Sequence, residues 1–207
     1  EAWNILNAIA EGKIESGDEK KLNALKGETM AVIALCQFDL TRCFGYPYTK
    51  DKGASLGAPL IDHLVGTYEN PPRSTVAQAY DFIIETLEEA VTLMSEEKNN
   101  GRMNKYAARA LLARIYLYHD DNRKAFDLAD QLIKDADTSG SYALYPHEKY
   151  VAAWSVEAKF GSESFFEIAN SVDDTPGRDS WGYLLNWYGY QKGFVTQKYA
   201  EQMLADL

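Results

Sequence analysis

Aromatic side chains with polar neighbours gather late in this 207-residue sequence. Between residues 181 and 190 the run WGYLLNWYGY holds Trp181, Tyr183, Trp187, Tyr188 and Tyr190, with Arg178, Asp179 and Asn186 close by. Tryptophan and tyrosine are large, rigid and amphipathic, which suits ligand-binding surfaces. Sugar rings present flat faces of C–H groups that stack on such rings. Their hydroxyls need the carboxylate, amide and guanidinium partners that Asp179, Asn186, Gln191 and Arg178 supply. The same run also reads as core, with Trp181, Leu184, Leu185 and Trp187 inside and the tyrosines at the rim. Both readings stand at the level of residue type. Gly177, Gly182, Gly189 and Gly193 oppose a regular helix here, so short irregular pieces are expected.

Other chemistries find less support. His63, His119 and His147 stand alone in sequence and are expected to be surface or satisfied histidines, not metal ligands. Cys36 and Cys43 are seven residues apart in a stretch with helical period. At about 1.5 Å per residue they lie roughly 10 Å apart, beyond the ~7 Å reach of a disulfide. They are expected as two small buried hydrophobes. Asp173, Asp174 and Asp179 carry oxygens of the kind Ca²⁺ takes, but without EF-hand spacing, and are read as a solvated acidic turn. No cofactor and no metal is expected. Glycoside hydrolysis needs two carboxyls held roughly 5 to 10 Å apart. Glu85, Glu88 and Glu89 fall instead on a solvated helix face, so the chain is not expected to be an enzyme.

Composition narrows the partners. Apolar residues make up 46% and charged residues 25%, an ordinary globular balance, and the net charge is −10. An acidic surface repels phosphate backbones and anionic lipid, which argues against nucleic acid and electrostatic membrane docking. No apolar run reaches the length of a membrane-spanning helix.

The elements that must position any site are mostly helical. Ala108, Leu111, Leu112, Ile115 and Tyr116 repeat at helical spacing, then Asp120, Asp121 and Asn122 interrupt, with Asn122 as the expected N-cap. Ala125, Leu128, Ala129, Leu132, Ile133 and Ala136 form the stripe of the next helix. So short a turn makes the two antiparallel neighbours, and the unit has the period of a tetratricopeptide repeat. Upstream, residues 28–43 are helical, with Ala31, Ala34, Leu35 and Phe38 on one face and Gly45 and Pro47 as terminators. Thr75 and Gln78 have capping-box spacing ahead of a stripe of Val76, Tyr80, Ile83, Leu87, Ala90 and Met94, closed by Asn99, Asn100 and Gly101. The insertion between them, residues 46–73, is rich in proline and glycine, and loops of that length are usually functional or disordered. Past Ser139 the period fades, and Phe165-Phe166-Glu167-Ile168 is a short β-prone run.

The order of these pieces resembles the SusD/RagB family. LKGETMAVIALCQFDLTRCFG (residues 25–45) is similar to the family's helix ending in Phe-Gly. PPRSTVAQAYDFIIETLEEAVTLM (71–94) resembles its Arg-Ser helix, GRMNKYAARALLARIYLYHDDNRKAFDLADQLI (101–133) its hairpin, and SESFFEIANS (162–171) the stretch that follows. The resemblance implies a mainly all-α, SusD-like fold of tetratricopeptide-like hairpins with long irregular loops and little β structure. Residues 28–137 would be the helical pairs and 138–207 an aromatic-rich irregular region of a single domain, 1–207.

The resemblance further implies a lipoprotein on the surface of the outer membrane that captures a glycan and passes it to a SusC-like TonB-dependent transporter. It transfers no ligand residue, so the cluster at Trp181 to Tyr190 rests on residue chemistry alone. A peptide- or protein-binding scaffold of the same uptake system is the alternative. Family members are usually more than twice this length. This chain opens at Glu1 with no signal segment or lipidated cysteine, and Cys36 lies mid-helix, where it cannot anchor a lipid. A partial or short member is therefore expected, with membrane attachment only through an N-terminal lipid absent from this chain.

Overall fold

Helices form where the sequence supplies both a cap and an apolar stripe. The computed structural model describes residues 1–154, 159–168, 177–179, 183 and 196–205. In chain order the first of its two compact units, Glu1–Ile168, holds α1 (Ala2–Ala10), α2 (Glu19–Phe44), β1 (Leu56–Pro59), β2 (Arg73–Thr75), α3 (Val76–Leu93), α4 (Lys105–Tyr118), α5 (Asn122–Ser139) and the single turn α6 (His147–Tyr150). The second unit, Ala169–Leu207, holds a 3₁₀ turn at Gly177–Asp179 and α7 (Gln197–Ala205). The fold is mainly α, with one two-stranded ribbon among the described residues. None of the described helices is long and apolar enough to cross a membrane.

Helix α3 is the centre of the first unit, packed against α2 on one side and α4 on the other. Its whole expected stripe is buried: Val76, Tyr80, Ile83, Leu87, Ala90 and, at its C-cap, Met94. Alanines at the contacts (Ala31, Ala34, Ala79 and Ala108) let the helices approach closely. A Cβ on Gly27 would lie 2.7 Å from Met94 Cγ and 2.9 Å from the Ala90 carbonyl oxygen, so α2 crosses α3 with no room for a side chain there. Helices α4 and α5 form the expected hairpin, pinned across its seam by Arg109 and Asp135 at 2.7 Å.

The N-terminus of α3 carries the capping box its sequence predicts. Thr75 Oγ1 accepts from Gln78 N at 3.1 Å and the Gln78 amide oxygen accepts from Thr75 N at 2.9 Å. Two further amides of this first turn are taken by the insertion: Val76 N donates to Ser55 O and Ala77 N to Gly53 O, both at 2.9 Å. Replacing Thr75 with alanine is expected to lower the free energy of unfolding by about 1 kcal/mol. The shift in denaturant midpoint at constant slope checks it.

Four expectations about the helices need correction. Cys36 and Cys43 are exposed thiols, not buried ones. At 100° per residue they sit on the side of α2 opposite Ala34, Phe38 and Thr41, the face that meets α3. Ile133 is 66% exposed while Leu132 is buried, because the seam with α4 is narrow and one residue's rotation carries the side chain out of it. The N-cap of α5 is Asp121, whose carboxylate accepts from Lys124 N, and Asn122 is the first helical residue. Helix α3 stops at Leu93, well short of Asn99.

The run Phe165–Ile168 forms no strand. Its side chains are used differently. The Phe165 ring lies 4.7 Å from that of Tyr142 and stacks on Tyr106 at 6.3 Å. Glu167 reaches back to accept from Phe160 N at 2.9 Å and Gly161 N at 3.2 Å. Those backbone donors, Phe160 first, hold its carboxyl below the usual range.

Candidate functional site

The insertion is a strap tied to the helices, not a free loop. Its first part carries Tyr48 into a ring cluster with Tyr80 at 5.6 Å and His119 at 4.2 Å. His119 is thus held by ring contacts, and among the described residues its buried Nδ1 has no hydrogen-bond partner, so it is not the satisfied histidine expected. The strap then pairs as β1 with β2 in antiparallel register, Leu56 with Thr75 and Pro59 with Arg73, with one extra residue on β1. Buried Gln37 of α2 grips it from below: its amide donates to Pro59 O at 3.1 Å and accepts from Ile61 N at 3.2 Å. Arg73 ties the other edge, donating to Gly57 O at 2.6 Å and Leu56 O at 3.1 Å.

Beyond Ile61 the strap ends in a tight, charged tip. His63 Nδ1 lies 2.6 Å from Asp62 Oδ1 and its Nε2 lies 2.6 Å from Glu69 Oε1. The second oxygen of Glu69 accepts from Gly66 N at 3.0 Å, and Glu69 N returns to Gly66 O at 3.1 Å. Between these ties the Tyr68 side chain projects into solvent, 95% exposed.

Between this tip and α3 runs an open groove of about 660 Å³, within the range of small-ligand sites. Its walls combine the half-buried Phe82 and two prolines with Asp62, Glu69, Asp81 and Glu85. Arg73 and Gln78, which also line it, are spent on the strap and on the helix cap. Asp81 and Glu85 make no side-chain hydrogen bond among the described residues, so their carboxylates are the acceptors open to a ligand. Apolar faces beside free carboxylates are chemistry for a polyhydroxylated ring: C–H against carbon, O–H to oxygen. No group of three or more metal-ligating side chains with metal-binding geometry occurs among the described residues.

A cleft of about 520 Å³ between the start of α2 and residues 94–104 is built differently. Glu28 closes it, paired with Arg102 and accepting from Met103 N at 3.1 Å. Those bonds tie α2 to the chain entering α4.

The sequence-predicted ligand residues are dispersed in what can be said of them. Trp181, Asn186, Trp187, Tyr188 and Tyr190 lie outside the described residues, as do Asp173 and Asp174. Arg178 is exposed in the 3₁₀ turn that also contains Asp179, and Tyr183 is half-buried. Sequence reasoning singled out the insertion by its length but missed Tyr68 and the His63 tip. The signal was present in Asp62-His63 followed six residues later by Glu69, a histidine flanked by carboxylates in a short loop.

The comparisons with known proteins fall on the same region. Residues 1–117, more than half the chain and including every groove residue, match the family model SusD-like_3, described as starch-binding and associating with the outer membrane. A solved candidate sugar-binding protein from Bacteroides vulgatus is 38% identical and superposes with a TM-score of 0.89 over 99% of this chain and 46% of its own. A SusD superfamily protein from Bacteroides thetaiotaomicron is 40% identical, with a TM-score of 0.78 over 84% of this chain and 37% of its own. A laminarin-binding SusD-like protein, at 22% identity, shares the fold with a TM-score of 0.61 over 88% of this chain and 38% of its own. The chain therefore spans less than half the length of these solved relatives. No match was found among curated proteins. With its helical pairs, its strap and its first 117 residues all fitting one pattern, the chain belongs to the SusD-like family.

Proposed function

We propose that this protein is a non-catalytic glycan-binding component of an outer-membrane uptake system. It captures an oligo- or polysaccharide at the cell surface and passes it to a SusC-like TonB-dependent transporter. The observation that carries this reading is the SusD-like match over residues 1–117, the segment that holds the whole strap, groove and tip. Surface placement through an N-terminal lipid belongs to the same proposal, as does the separation of helical scaffold, residues 28–137, from ligand-reading loops.

Two regions serve the ligand in this reading. One is the groove, where Phe82 offers a flat apolar face and Asp81 and Glu85 accept hydroxyl protons. The other is the aromatic run from Trp181 to Tyr190, with Tyr183, Trp187, Tyr188, Arg178, Asp179 and Asn186, supported by residue chemistry. Affinity comes from stacking and hydrogen bonding in a largely preformed site, and no cofactor takes part.

Calorimetric titration with neutral polysaccharides tests it, starting with starch and laminarin, the ligands that the matched family and one structural neighbour name. Saturable binding to one of them is expected. Binding to unfolded peptides with none to any glycan would replace the proposal with a peptide-binding scaffold.

A further inference from the structure

The contacts around His63 fix its proton count. A carboxylate only accepts hydrogen bonds, and a neutral imidazole carries a single N–H donor. Both ring nitrogens of His63 stand 2.6 Å from carboxylate oxygens, of Asp62 on one side and Glu69 on the other. Two such contacts need two N–H groups, so the ring is an imidazolium cation between two anions. Glu69 is also the residue that closes the turn by accepting from Gly66 N. The proton on His63 therefore holds the Glu69 side chain, and Glu69 holds the turn that displays Tyr68.

We infer that His63 is a proton-operated clamp on the tip of the strap, ordering residues 62–69 while it is charged and releasing them when it loses its proton. The consequence for ligand capture rests on the proposed glycan-binding role. Where Tyr68 and the adjoining groove receive a sugar, capture weakens as the clamp opens.

The charges facing the ring are four carboxylates and one guanidinium. On its own loop these are Asp62 and Glu69. From β2 comes Arg73, committed to backbone carbonyls, and from α3 come Asp81 and Glu85 across the groove. The hydrogen bond to Asp62, then that to Glu69, raises the His63 pKa above its ordinary 6.5. The clamp contribution is thus fully present below about 6.5 and is lost as pH rises through the raised value. At the acid end Glu69 is held below its ordinary 4.5, first by Gly66 N and then by His63. Its contribution is present above 4.5 and lost as pH falls through the depressed value. The clamp is closed between those two limits, a window that includes mildly acidic water and narrows its hold toward alkaline pH.

NMR of the 207-residue chain without glycan reads the device directly. The His63 ring should titrate with a midpoint above 6.5. Across that midpoint the backbone order parameter of Tyr68 should fall from about 0.85 toward about 0.6. In His63→Gln it should be low and insensitive to pH. Glu69→Gln should lower the His63 midpoint while core amides stay unchanged. A His63 midpoint at or below 6.5, or Tyr68 order that ignores it, overturns the clamp. When a glycan is added, affinity should fall through the same midpoint in the wild type and not in His63→Gln. Affinity indifferent to the midpoint overturns the regulatory role. A tip that titrates as described in a protein that binds no glycan supports the clamp and defeats the glycan reading instead.

Discussion

Leu87→Ala is expected to lower the free energy of unfolding by about 2 to 5 kcal/mol, a large fraction of the roughly 5 to 15 kcal/mol that holds a domain folded. Leu87 is fully buried in the middle of α3, the helix that meets both α2 and α4. Truncation removes its apolar contacts and leaves a void. How much the void costs depends on whether the neighbours can close it. Here they are held apart by backbone: at Gly27 the crossing of α2 on α3 is already closed to a single added carbon, and Ala31, Ala34 and Ala108 have no side chain to extend into a gap. Little collapse is available, which places the cost in the upper half of that range. Ile133→Ala on α5 is the matched control, since a side chain 66% exposed should change stability by no more than about 0.5 kcal/mol. Chemical denaturation of both variants decides it. A Leu87 variant as stable as the Ile133 variant would mean that α3 is not the element around which this unit is packed.

That contrast also marks where periodicity stops informing. The stripe from Val76 to Met94 was legible because a central helix buries one wide face, and every apolar residue on that face goes inside. Helix α5 lies at the edge, so its stripe is wider than its contact, and Ile133 is left in water. Helix α2 misleads differently. Its outer face carries Cys36, Leu40 and Cys43, apolar by type, and nothing local distinguishes that face from the one holding Ala34 and Phe38. Only the partner helix does. Phe165 and Phe166 have β-prone character, but a strand needs a neighbour, and the rings of Tyr106 and Tyr142 claimed Phe165 first.

The candidate site was legible in outline and not in detail. Length and composition mark the insertion as functional or disordered. What anchors it is long-range and polar: Gln37 with Pro59 and Ile61, Arg73 with Gly57 and Leu56. Each of these side chains satisfies backbone groups that would otherwise be left unpaired beside the core, a role no hydropathy pattern records. The tip is local by comparison. Asp62, His63 and Glu69 are close in sequence, and a histidine flanked by carboxylates shows only when the acidic residues around it are counted with it.

Tyr68→Ala is expected to weaken binding of a neutral polysaccharide by about thirtyfold, or about 2 kcal/mol, with no measurable change in stability. The two halves of that prediction come from one number. A ring 95% exposed packs against almost nothing, so its removal costs the fold at most about 0.5 kcal/mol. An aromatic ring left in water on a tip tied by four polar contacts is also poised to act as a stacking platform at low entropic cost. The tip itself does not depend on the ring, because Glu69, Gly66 and His63 hold it through their own atoms. Tyr68→Phe should therefore keep most of the affinity, since the stacking face survives and only the hydroxyl goes. Trp181→Ala and Trp187→Ala, measured in the same calorimetric series, separate the two candidate regions. A large loss confined to Tyr68 assigns capture to the strap. A large loss confined to the tryptophans assigns it to the aromatic run and leaves Tyr68 as an exposed ring without a ligand. Comparable losses at both would mean that both regions contribute to capture.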